Sequence, residues 1–202
     1  RDFFRFGEGS RFAVYASFGF DANVFDTYPI VTSGAALYII PDELRLDLFA
    51  LQRYFNENGI TNSIMTTQVG TQFLRMQGTK TLRTLSVAGE KLVPIDPPKD
   101  FRLYNLYGPT EGSVLVTAFP VDRPYEDIPI GHAVDNVKLY VVDGSGRLVP
   151  PGAKGELWIT GPHVTAGYLN DPEKTEKAYV KNPFCTAPGY ERAYRTGDRA
   201  RL

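Results

Sequence analysis

Apolar residues recur along this chain with two different periods, and the change from one to the other divides it. The apolar run from Phe12 to Phe18 predicts a strand, and a helix is expected from about Ala22 to Ser33, closed by Gly34. Ala35 to Ile40 predicts the next strand. Pro41 and Asp42 then open a helix in which Leu44, Leu48, Leu51 and Phe55 return on one face until Gly59 stops it. A strand near Ile60 to Met65, a helix near Gln68 to Met76, and strands at Thr84 to Val87 and Phe101 to Tyr104 continue the series. Strands alternating with helices predict an α/β fold with a mainly parallel sheet, because parallel neighbours need crossovers that cover both sheet faces.

From about Val114 the pattern shortens to strands and turns: Val114 to Phe119, Val137 to Val142, the turn Asp143-Gly144-Ser145-Gly146, and Gly155 to Thr160. These predict a β-rich, barrel-like or sheet extension. One helix interrupts it, with Asp171 as N-cap and Pro172 as its first helical residue. The expected division is an α/β subdomain over residues 1–118 and a β-rich subdomain over 119–202.

Composition adds exclusions. With 202 residues, 43% hydrophobic and 22% charged, the chain can build a sizeable core. A formal net charge of -1 gives no electrostatic case for nucleic acid or an anionic membrane, so small-molecule and protein partners are expected. The single cysteine, Cys185, cannot form an intrachain disulfide, and no cysteine-histidine cluster suggests zinc. A cytoplasmic setting is expected. No apolar run is long enough to cross a bilayer.

In an open parallel sheet, ligands collect beyond the carboxyl ends of the strands. There the sequence places Gly19-Phe20-Asp21, Ala88-Gly89-Glu90, and Asn105-Leu106-Tyr107-Gly108-Pro109-Thr110-Glu111. The Gly108-Pro109 turn presents Tyr107, Thr110 and Glu111 from a constrained loop. An aromatic ring, a hydroxyl and a carboxylate suit a nucleotide with its divalent ion. Read from the residues alone, the alternatives stay open: Asp21 a helix N-cap, Tyr107 a core-edge tyrosine, Glu111 a solvated loop charge, Asp198 a turn residue.

The segment Asn105 to Glu111 resembles the NxYGPTE element of amino-acid adenylation domains of nonribosomal peptide synthetases. Gly155-Glu156-Leu157-Trp158-Ile159-Thr160-Gly161, followed by Gly167-Tyr168-Leu169, resembles their GELxIxG…GYxN element. Tyr194-Arg195-Thr196-Gly197-Asp198 matches YRTGD, and Phe20-Asp21 with Gly34-Ala35 resembles FDxS. The four occur in family order over essentially the whole chain. The resemblance implies activation of an amino acid with ATP as an aminoacyl-adenylate, release of pyrophosphate, and loading onto the phosphopantetheine thiol of a carrier domain. ATP, Mg2+ and neighbouring synthetase domains are the implied cofactors and partners.

Carried over residue by residue, the resemblance makes Asp21 the ligand of the substrate ammonium. Asn105 contacts adenine, Tyr107 packs on it, and the backbone at Gly89 and Glu90 lies against it. Thr110 is the phosphate-side hydroxyl, Glu111 the magnesium ligand, and Asp198 the ribose ligand. Trp158 and Tyr168 are expected to be structural, and His132 and His163 to be surface or packing residues. The implied amino-acid pocket comprises Asp21, Ala22, Phe25, Met65, Ser86, Ala88, Leu106, Val114 and Leu115. Apart from Asp21 none is charged, so a neutral aliphatic substrate is expected, branched rather than as large as tryptophan. The family's phosphate loop, of type TSGTTGxPKG, and its downstream lysine are not found among these residues, so these residues alone are expected to fold at least in part yet not form the adenylate. The competing readings are another acyl-adenylate former, such as an aryl or fatty acyl-CoA synthetase or a D-alanine carrier-protein ligase, and a non-catalytic binding fragment.

Overall fold

The structure is a computed structural model that describes residue 4, residues 6–76 and residues 78–202. The chain gathers into two units, one of residues 1–107 and 118–131, the other of residues 108–117 and 132–202.

In the first unit the elements run β1 (Arg11–Val14), α1 (Ala22–Val31), β2 (Ala36–Ile39), α2 (Leu48–Glu57), β3 (Asn62–Thr66), α3 (Thr67–Met76), β4 (Thr84–Ala88), β5 (Arg102–Tyr107) and β6 (Thr117–Val121). Their order across the sheet is β2-β1-β3-β4-β5-β6. The pairs β1–β2, β1–β3, β3–β4 and β4–β5 are parallel. The chain moves outward from β1 to β2 and then returns past it to β3, so the direction of winding reverses between β1 and β3. Right-handed crossovers then put helices on opposite faces of the sheet.

The packing agrees. Phe12 of β1 meets Phe6, whose ring also approaches Phe25 of α1, and Phe4 packs edge-on against both Phe25 and Tyr104. The next residue, Ala13, faces the other way into a core with Leu51 and Phe55 of α2, Phe73 of α3, Leu85, Val87 and Leu103. With both faces covered, β3, β4 and β5 are buried along their length without alternation, although they include Asn62, Ser63, Thr84, Ser86 and Asn105.

Three boundaries differ from the sequence reading. The first strand ends at Val14 instead of continuing to Phe18, because the Tyr15 and Ala16 amides leave the sheet to donate to Asp26 Oδ2 at 3.0 and 2.9 Å. The helix expected from Pro41 is broken: residues Asp42–Leu44 form one 3-10 turn, and α2 starts afresh behind Asp47, whose carboxylate accepts from the Ala50 amide at 3.0 Å. The strand expected from Val114 begins only at Thr117, since Ser113 and Val114 have φ of 53° and 76°. No extended strand passes through such residues.

The second unit contains β7 (His132–Ala133), β8 (Lys138–Val142), β9 (Gly155–Thr160), α4 (Pro172–Ala178), β10 (Tyr179–Lys181) and β11 (Arg192–Ala200). Strands β10-β11-β9-β8 make an antiparallel sheet, which is the form the β-rich extension takes. Both β10 and β11 went unread in the sequence, where their residues show no clean alternation. Trp158, Val142 and Ala193 centre a small core beneath Tyr140, Val180 and Phe184. Asp171 caps α4 as expected, accepting from the Lys174 amide at 3.0 Å.

Candidate functional site

At the carboxyl edge of the parallel sheet, the loop after β1 delivers Asp21 to the start of α1. Two buried side chains shape that loop: Asp26 accepts the Tyr15 and Ala16 amides, and Asn23 Nδ2 donates to the Ala16 carbonyl at 3.0 Å. Asp21 occupies the N-cap position with helical backbone angles and no side-chain cap bond. The capping alternative is thereby removed. Among the described residues the half-buried Asp21 carboxylate has no hydrogen-bond or ion-pair partner.

Strand register decides which pocket candidates share a face. Ile64, Ser86 and Tyr104 lie in one row across β3, β4 and β5, and Thr66 pairs with Ala88 in the row beyond. Leu106, two residues after Tyr104, continues the same face, which is the one Phe25 covers through Phe4. Met65 does not join them. It pairs with Val87, which pairs with Asn105, and is buried in the core beneath α2 and α3. Successive strand residues point to opposite faces, so a one-residue offset exchanges the pocket residue for a core residue. The residue of β3 in the row of Ser86 and Tyr104 is Ile64.

Asn105 is buried and its Nδ2 donates to the Pro129 carbonyl at 2.8 Å. Its Oδ1 takes no partner among the described residues. Gly89 has φ of 100°, and a Cβ there would meet no protein atom within 4 Å, so the residue is glycine for its backbone angle and its open side is left uncovered by protein. Glu90 is exposed, with its carbonyl accepting from Thr67 Oγ1 at 3.0 Å. Ala22 and Tyr107 are half-buried at the same edge.

In the second unit, Gly108 passes so close to the chain that a Cβ would stand 2.2 Å from the Val114 carbonyl oxygen. That approach folds residues 108–115 into a tight loop: Pro109 is extended, Thr110–Gly112 make a 3-10 turn, and Ser113 and Val114 are left-handed. A left-handed β-branched residue is a backbone outlier, and outliers of this kind concentrate at functional sites. Val114 and Leu115 are both half-buried there.

Glu111, on the 3-10 turn, accepts from the Tyr168 hydroxyl at 2.5 Å, and its carbonyl accepts from the Thr165 amide at 2.9 Å. Burial pushes its carboxyl up, but hydrogen bonds from Tyr168, its own backbone and Tyr194, with Lys174 nearby, outweigh burial and hold it below the ordinary value. The carboxylate is therefore ionised at neutral pH. The same contacts, led by burial, raise the Tyr168 and Tyr194 hydroxyls, so both remain protonated donors. Sequence reading assigned Tyr168 a structural role and so missed its bond to Glu111, since 57 residues separate them.

Asp198 lies in β11 just past a bulge, where register shifts between Arg195 and Arg199. Gly197 there has φ of 76°, its amide donates to Glu156 Oε1 at 3.2 Å, and the Asp198 amide donates to Thr196 Oγ1 at 2.9 Å. Bulges re-aim side chains, and this one presents Asp198 at the surface as a strand residue, which removes the alternative of a turn residue. Among the described residues no three His, Cys, Asp or Glu side chains cluster as a metal cage, and no helix is long and apolar enough to cross a membrane.

Residues 1–169 match the family described as AMP-binding enzyme. The chain belongs to that family. Its sequence is 42% identical over 199 residues to Bacitracin synthase 1 of Bacillus licheniformis, covering 98% of this chain and 4% of that protein. It is 39% identical over 197 residues to Surfactin synthase subunit 2 of Bacillus subtilis (strain 168), covering 98% of this chain and 5% of that one. The fold superposes with a TM-score of 0.86 on the crystal structure of a nonribosomal peptide synthetase, FmoA3, at 26% identity, and of 0.87 on its AMPPNP-bound form. These alignments cover all of this chain and 23% of the crystallised one. The chain thus spans 4–5% of the length of these two curated relatives.

Proposed function

We propose that these residues form part of an adenylation enzyme that joins an amino acid to ATP as an aminoacyl-adenylate, releases pyrophosphate, and passes the aminoacyl group to a phosphopantetheine carrier domain of the same synthetase. The observation that carries this reading is the Asp21 carboxylate, without a partner among the described residues, at the edge of an otherwise uncharged row of Ile64, Ser86, Ala88 and Leu106. A carboxylate without a protein partner suits the α-ammonium of an amino acid. A carboxylic acid lacking the amine would leave it uncompensated, which disfavours the acyl-CoA synthetase alternative.

In this reading Asp21 binds the ammonium and Ala22, Phe25, Ile64, Ser86, Ala88 and Leu106 take the side chain, a role the family pattern gives to Val114 and Leu115 as well. Asn105, through Oδ1, and the open backbone at Gly89 and Glu90 take adenine, with Tyr107 against its ring. Asp198 takes the ribose hydroxyls and Thr110 a phosphate oxygen. Magnesium needs only one or two protein carboxylates beside water and phosphate oxygens, and the ionised, oriented Glu111 fits that demand. When bound, the ion neutralises phosphate charge as pyrophosphate departs. Without the phosphate loop and lysine of the family pattern, the 202 residues alone are expected to give no pyrophosphate exchange.

Asp21→Ala in the full-length enzyme tests the assignment. The KM for the amino acid should rise roughly ten- to a hundredfold, as for loss of a hydrogen bond to a charged group, with ATP binding retained. Equal losses for both substrates, or no loss, would remove Asp21 from the ammonium role.

A further inference from the structure

We infer that Tyr168 is a positioning residue for adenylation, its hydroxyl fixing the carboxylate of Glu111. The inference rests on the magnesium role proposed for Glu111.

Glu111 stands on a 3-10 turn of three residues, and a glutamate side chain left to itself has three freely rotating bonds. Here the segment 165–168 grips it twice. The Thr165 amide holds its carbonyl at 2.9 Å, and the Tyr168 hydroxyl holds Oε1 at 2.5 Å, within the range of a strong O–H···O⁻ bond.

Tyr168 is itself held from several directions. Its amide donates to Thr175 Oγ1 at 2.9 Å, and Lys174 Nζ lies 4.0 Å from its ring centroid. Its ring meets the Tyr179 ring in a T-shaped contact at 5.7 Å, and the Tyr179 hydroxyl bonds Thr165 Oγ1 at 2.7 Å. Gly167 makes the approach to α4 possible, since a Cβ there would stand 2.4 Å from Thr175 Cγ2. The orientation of Glu111 therefore derives in part from α4 through the Tyr168 phenol, beside the hydrogen bond it takes from Tyr194 of β11.

The chemistry of the donor matters. A lysine or arginine bonded to Glu111 would orient the carboxylate but oppose a divalent cation on it. A neutral hydroxyl orients the group while leaving its charge for the metal. Preorganisation of this kind lets a cation bind without first freezing its ligand.

The test compares Tyr168→Phe, Glu111→Gln and the double variant in the full-length enzyme, by magnesium titration of pyrophosphate exchange. Binding of Mn2+ with AMPPNP, followed by electron paramagnetic resonance, reads the site apart from turnover, and melting curves report folding. Tyr168→Phe keeps every ring contact and should raise the half-maximal Mg2+ and Mn2+ concentrations about tenfold, with the amino-acid KM unchanged. In the Glu111→Gln background it should add no further shift. If Glu111→Gln leaves metal dependence unaltered, the metal assignment itself fails and the inference with it. If Glu111→Gln shifts metal dependence and Tyr168→Phe does not, or Tyr168→Phe only lowers the melting temperature, Glu111 keeps its role and Tyr168 is overturned as its positioning residue.

Discussion

Asp26 shows how much of the site depends on a residue that touches no ligand. It is fully buried, its Oδ2 is spent on the Tyr15 and Ala16 amides, and its Oδ1 has no partner among the described residues. Burial raises its pKa from 3.8 to about 7, against the lowering effects of those two amides and of Arg45. Between these values the folded chain keeps a proton that the unfolded chain has lost. The contribution of Asp26 is therefore most favourable below 3.8 and is lost as pH rises through about 7. Asp26→Asn retains an acceptor for the amides and removes the titration. Relative to the wild type, this variant should gain in melting temperature between about pH 5 and about pH 8. An equal difference at both pH values would show that Asp26 is already ionised in the fold at the lower one. Gly108 is the second such residue. Because a Cβ there meets backbone, which cannot swing aside as a side chain can, Gly108→Ala should destabilise by about 1–3 kcal/mol in a melting experiment. A wild-type melting temperature would show that the loop yields.

For elements, capping and register carry the explanation. The α2 stripe of Leu48, Leu51 and Phe55 was legible at helical spacing, yet the helix begins at Asp47 and not at Pro41. Asp47→Ala removes the acceptor of the Ala50 amide and should cost about 1 kcal/mol, measured by thermal or urea unfolding. No change would mean that packing of Leu51 and Phe55 alone sets the helix start. Strand β3 gives a sharper contrast. Met65 is buried in the core opposite Val87, whereas Ile64 lies in the row of Ser86 and Tyr104. Met65→Ala should lower stability by about 2–5 kcal/mol, with substrate preference retained. Ile64→Ala should alter the preference among amino acids at a smaller stability loss. The reverse pattern in melting curves and exchange assays would reinstate Met65 in the pocket.

At the scale of the molecule, the residues given roles above fall in both units: Asp21, the β3–β5 row, Gly89 and Asn105 belong to one, and Thr110, Glu111, Val114, Leu115 and Asp198 to the other. The pocket candidates other than Asp21 are all uncharged. Burying an unpaired charge among them would cost several kcal/mol, so a panel of amino acids in pyrophosphate exchange should show a neutral aliphatic side chain preferred. Lysine, arginine or glutamate as the best substrate would overturn this pocket.

By itself the sequence determined the β-α alternation and the parallel sheet, because hydrophobic period and turn chemistry are local properties of a few consecutive residues. The motif around Tyr107 to Glu111 was legible for the same reason, Gly108-Pro109 forcing its turn whatever surrounds it. Only the tertiary structure decided which side of β3 shares the row of Ser86 and Tyr104, since a strand buried on both faces, with polar and apolar residues on each, carries no mark of which side is which. It alone showed that Asp21 leaves its helix uncapped, that Asp26 stitches the loop beneath it, and that Tyr168 reaches Glu111. Each of these depends on residues far apart in the chain being brought within hydrogen-bond reach, a distance that local pattern does not encode.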